Sequence, residues 1–180
     1  MPERANILIN CLMNLSERVE KSGFWDNSRG RKIQGNIFYS LRQMVFKIIV
    51  ADGNLAEEEF DFVSQVFYPD DVPAKQITKD IKEFVRDDDE LEIPDFLLSF
   101  AKYDQKNKTN LATKAVKIFE SLGIQTIGID EDFDDDEVRV LSEYISQLKK
   151  FLESEGLATE IDFDDIFEES STQSEESVKC

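Results

Sequence analysis

The chain has 180 residues, a third of them charged, with a net charge of −18 and no histidine. The lack of imidazole excludes Ser/His/Asp and Cys/His catalysis, histidine-ligated zinc and histidine pH switching. Its two cysteines, Cys11 and Cys180, lie near opposite ends of the sequence, so a reduced, cytoplasmic protein without a structural disulfide is expected.

The first element expected is a helix over "ANILINCLMNLSERV", with Ile7, Leu8, Cys11, Leu12, Leu15 and Val19 on one face. Charged residues flank this stretch and no small-residue cleavage site follows it, which argues against a signal peptide. After "SGFWDNSRGRK" (22–32), Ile37, Phe38, Leu41, Met44, Val45, Ile48 and Ile49 mark a second helix. Its apolar run "MVFKIIVA" is short and contains Lys47, as a core helix would, and no membrane insertion is expected. Phe60, Val63 and Phe67 form a third stripe, and Ile77, Ile81, Phe84 and Val85 a fourth. Pro94 opens a fifth, with Phe96, Leu97, Phe100 and Ala101. The turn-rich stretch "YDQKNKTN" (103–110) separates it from Leu111, Ala115, Val116, Phe119 and Leu122. The last stripe is Leu141, Tyr144, Ile145, Leu148, Phe151 and Leu152. No sustained strand alternation occurs. The expected fold is all-α, about seven helices in a compact bundle, and the fourteen phenylalanines are core filling.

The composition changes after Gly156. Residues 1–156 are expected to form one domain, and 157–180 an acidic, serine-rich, disordered tail. Within the tail, "EIDFDDIFEE" (160–169) alternates acids with apolar residues. Phe163, Ile166 and Phe167 are therefore candidate docking residues, for a partner or for the domain's own basic N-terminal part.

Charge is uneven along the chain. Residues 1–50 carry eight Lys/Arg against four Asp/Glu; the remainder carries 13 against 35 and is strongly anionic. Such a surface repels nucleic acid phosphates and anionic lipid, and suits a divalent cation or a basic protein patch. Solubility alone would also account for it.

An internal repeat stands out. Setting Asp52 on Asp130 aligns "DGNLAEEEFDF" with "DEDFDDDEVRV" at a constant offset of 78 residues and without a gap. Glu59 then falls on Glu137, and each copy joins an apolar stretch to an amphipathic helix. This predicts a duplicated helix–turn–helix unit. The paired pattern "VADGNLAEEE" (50–59) and "GIDEDFDDDE" (128–137) resembles that of TerB-like tellurite-resistance domains, whose relatives include the N-terminal region of some DnaJ-like proteins. The likeness covers roughly residues 5–155, and in the second copy Glu131 stands where glycine is expected. It implies an all-helical domain of the bacterial stress response, a non-enzymatic interaction or sensing module. It also implies acidic turns that bind metal, with Asp52, Glu59, Asp130 and Glu137 as ligands. The ion would be Ca²⁺ or Mg²⁺ before Zn²⁺.

The same acids have a purely structural reading. Gly53 suits a turn with positive φ, and Asp134 with Glu137 forms a capping box. In the first copy the cap position is Ala56, so Asn54 with Glu57 is expected to start that helix earlier. Acids in a first turn also suit the helix dipole. An ordinary EF-hand is excluded: Asp130, Asp132 and Asp134 match positions one, three and five, but Asp135 replaces the glycine and Leu141 the closing glutamate. No nucleotide loop, His-containing di-iron motif or catalytic constellation is present. Two functions follow as expectations. One is a cytoplasmic interaction or sensing module tuned by a cation; the other is an acidic adaptor or inhibitor that grips a basic protein surface without metal. Both call for a protein partner.

Overall fold

The computed structural model describes residues 2–25, 32–86, 90–129 and 133–168, and these contain helices and no strands. The helices are α1 (Pro2–Lys21), α2 (Ile33–Ile49), α3 (Glu57–Phe67), α4 (Ala74–Arg86), α5 (Asp95–Asn107), α6 (Leu111–Ile127), α7 (Asp135–Ser154) and α8 (Asp165–Glu168). None of them is long and apolar enough to cross a membrane.

The repeat expected from the sequence is present in the helix boundaries. The bounds of α6 lie 78 residues after those of α2, and α7 begins 78 residues after α3. Helices α2 and α6 form the centre; α6 packs against α1, α2, α5 and α7. Their stripes supply fully buried Ile37, Leu41, Met44 and Ile48 from α2, and Leu111, Ala115, Ile118 and Leu122 from α6. Phe96, Phe100 and Phe119 stack within this core, with ring centroids 5.4 and 5.8 Å apart, and Tyr144 meets Phe119 at 6.3 Å. Ile7, placed on the apolar face by periodicity, is instead half exposed.

Helix ends are tied across elements as well as locally. The Asn36 side chain on α2 accepts from the Phe96 amide at the start of α5 (2.9 Å). Asp104 is fully buried and accepts from the Leu111 and Ala112 amides (2.9 and 2.8 Å), capping α6 from α5. The stretch 103–110 therefore is not all turn: α5 continues to Asn107, and Lys108 closes it at φ 58°.

Beyond α7 the chain does not leave the domain at Gly156, where the tail was expected to begin. Gly156 takes φ +71°, and the amides of Gly156 and Leu157 return to the Glu153 and Leu152 carbonyls, a Schellman closure. The irregular strap that follows is held by Thr113, which donates to the Ala158 carbonyl (2.7 Å), and by the Lys149–Glu160 pair (2.7 Å). It ends in α8, where Ile166 is fully buried and its carbonyl accepts from the Cys11 thiol of α1 (3.6 Å). The remaining tail, 169–180, lies outside the described residues.

Candidate interaction site

Two acids of the first turn, Asp52 and Glu59, are engaged in shaping it. Gly53 has the expected positive φ, +86°. Both Asp52 oxygens accept from Asn54, one from its backbone amide (2.7 Å) and one from its side-chain amide (3.1 Å). Helix α3 starts at Glu57 with Ala56 as its N-cap, and not earlier through Asn54 and Glu57. The Ala56 amide donates to Oε2 of Glu59 (2.8 Å), half of a capping box in which the methyl side chain supplies nothing. In the second turn, Asp134 accepts from the Asp136 amide (2.7 Å) as N-cap of α7.

Of the four acids implied as metal ligands, Asp52 is exposed, while Glu59 and Glu137 are buried at matching third positions of α3 and α7. Asp130 lies outside the described residues. Among the described residues no three His, Cys, Asp or Glu side chains are grouped to hold a metal ion. Of the candidate docking residues, Ile166 is buried against the domain itself, while Phe163 and Phe167 pair with each other (5.5 Å) and pack partly on the core. Ile166 meets α1, where its carbonyl accepts from the Cys11 thiol.

A surface that periodicity does not single out lies between α6 and α7. A groove of about 650 Å³ there is lined by Ile124, Phe133, Val138, Leu141 and Ile145, with Glu120 and Lys149 at its rim. Three of these apolar side chains face solvent: Ile124 is 58% exposed, Phe133 68% and Val138 44%. The groove is close-bottomed because Gly123 lets Leu141 sit directly on α6, and the Phe133 ring lies 3.7 Å from where a Gly128 side chain would begin. At the rim, Glu120 accepts from Lys117 (2.7 Å) and Lys149 (3.2 Å). Partial burial pushes the Glu120 carboxyl up, and these two lysines outweigh it and hold it below the usual carboxylate range.

The same place in the first half is closed. Phe46, 78 residues before Ile124, is fully buried. The Phe84 ring of α4 lies over it (5.4 Å), and beside it the Arg42 guanidinium stacks on Phe46, Tyr68 and Phe84 at 4.6–5.1 Å. Arg42 also bonds Asp80 (3.2 Å) and the Tyr68 hydroxyl, and Gln76 donates to the other Asp80 oxygen (2.6 Å). Partial burial raises the Asp80 carboxyl, but the hydrogen bonds from Gln76, Tyr68 and Arg42 outweigh it and leave it lowered. This cluster binds α4 to α2, and no motif marks it, since its polar members stand outside the apolar stripes and come from α2, α4 and the residue after α3.

No protein-family profile matches the sequence, and neither a curated protein nor a solved structure matches the chain.

Proposed function

We propose that this chain is a non-enzymatic interaction module that takes a segment of a protein partner into the α6–α7 groove. The observation that carries this reading is the open apolar lining, Ile124, Phe133 and Val138, on an otherwise strongly charged surface. Covering an exposed Ile or Phe is favourable by about 1.5–3 kcal/mol for full burial, enough for a few such contacts to anchor a partner. Asp52 and Glu59 of the first acidic turn already accept from backbone amides, so the reading does not depend on an ion. The likeness of the paired turns to TerB-like domains is the ground for placing this interaction in a bacterial stress response.

The test is complementation in the source cell. A strain lacking the gene is challenged with graded tellurite and supplied with the wild type or with Ile124→Asp/Phe133→Asp. Both positions are exposed, so this variant should fold, which circular dichroism checks. The wild type is expected to restore growth and the variant to fail. Rescue by the variant removes the groove from the function, and a deletion without a phenotype removes the tellurite setting.

A further inference from the structure

We infer that the α6–α7 groove receives an amphipathic helix built like α4 of the same chain, with a basic polar face, supplied by a protein partner. This deepens the interaction reading above and rests on it.

The duplication supplies the argument. Each half presents a long central helix and an acidic-start helix, α2 with α3 and α6 with α7, at one offset of 78 residues. In the first half, Pro69 and Pro73 end α3 after Phe67 and release the chain to fold back as α4. Helix α4 then covers the outer face of α2 with Ile77, Ile81 and Phe84, an i, i+4, i+7 stripe whose two isoleucines are fully buried. In the second half no proline interrupts, and α7 runs on to Ser154. The strap after it is held at Thr113 and Lys149 and carries α8 to Cys11 on α1. Ile124 thus holds the place that Phe84 of α4 covers at Phe46 in the first half, although α7 lies closer on α6 than α3 does on α2, and the segment after α7 that could have covered it is committed elsewhere.

Charge selects the polar face of the occupant. Asp134, Asp135 and Asp136 stand beside Phe133 at one end of the groove, where Arg139 pairs with Asp136 (2.8 Å). Glu143 and Glu153 are exposed along α7, and with these aspartates they outnumber Lys149 and Lys150, which also line the groove. Helix α4 itself carries Lys75, Lys79 and Lys82 against Asp80 and Glu83, the kind of face this rim attracts. A second copy of this chain is opposed by its own charge of −18.

The probe is a fluorescent peptide of sequence PAKQITKDIKEFVR (residues 73–86), titrated into the full-length chain. Two controls accompany it, a scrambled peptide and one with every Lys and Arg replaced by Glu. Methyl NMR of the isoleucines and valines reports where each binds. Saturable binding is expected, with shifts at Ile124 and Val138. Ile124→Asp/Phe133→Asp should weaken it about tenfold or more, the equivalent of one buried apolar contact. The Glu-substituted and scrambled peptides should bind at least tenfold more weakly.

Any of these results overturns the inference: no saturation; binding that survives Ile124→Asp/Phe133→Asp; equal binding of the Glu-substituted peptide; or shifts confined to the α2 face, which mean exchange with the native α4. Self-association that Ile124→Asp abolishes names a second copy as the occupant and also overturns it. If the groove variant fails in the cell while no peptide binds, the interaction reading stands and only the helical occupant falls.

Discussion

Leu141 rests directly on the bare backbone of Gly123: a Cβ at that glycine would lie 2.3 Å from Cδ1 of Leu141 and 2.9 Å from Cδ2. This contact sets how closely α6 and α7 approach, and hence the depth of the groove. Gly123→Ala gains about 1 kcal/mol of helix propensity but overpacks a buried position, at a cost of about 1–3 kcal/mol. A net loss of about 1 kcal/mol is expected by urea unfolding. Leu141→Val in the same chain should recover most of it, a coupling that two independent sites would not show.

Asp104 caps a helix it does not belong to. Replacing it with Ala strands the buried Leu111 and Ala112 amides, and a loss of about 2–4 kcal/mol is expected. Asp104→Asn keeps an acceptor and should lose about half as much. Hydrogen exchange is the discriminating measurement: the first turn of α6 should lose protection in the Ala variant before the rest of the domain.

Acid should undo the Asp80 cluster in a defined sense. The folded carboxyl is lowered relative to the unfolded chain, so its contribution is fully present above about pH 4 and is lost as pH falls through the lower folded value. Asp80→Asn is expected to cost about 1–3 kcal/mol near neutral pH. The Tm gap between wild type and variant should close as the solution is acidified toward pH 2. A gap that stays constant across that range would mean the cluster does not titrate.

The strap shields the thiol of α1. In a Cys180→Ser background, Ile166→Asp should lift α8 and raise the rate of Cys11 modification by a disulfide reagent about tenfold or more, the equivalent of one buried isoleucine. An unchanged rate would place the barrier to Cys11 in α1 itself.

The turns illustrate a different expectation. Asp52 and Glu59 already serve backbone amides, so excess Ca²⁺ or Mg²⁺ against chelator should move Tm no more than an equal ionic strength of NaCl. A shift specific to one ion, lost in Asp52→Asn, would return these carboxylates to the role of ligands.

Periodicity makes the helices legible because each buries a single stripe, and the constant offset makes the duplication legible from the sequence. Gly53 and the cap at Asp134 were equally visible, since turn chemistry is local. What covers a stripe is not local. Phe46 and Ile124 occupy matching places in matching patterns, yet one is buried and the other open, because prolines after α3 redirect the chain and none follow α7. Asp104 and Arg42 were missed for the same reason: their partners lie on other helices. The strap reads as part of a tail because the stretch is acidic and lacks a sustained apolar face, whereas in the fold Ile166 is fully buried in the core.

The bond from Cys11 to Ile166 spans 155 residues. During synthesis at about 5–20 residues per second, the α1 surface beneath α8 waits roughly 8–30 s for the ribosome to deliver its cover. For that interval the nascent chain shows an apolar patch and a free route to a thiol, which a holding chaperone would recognise and the finished protein would not display.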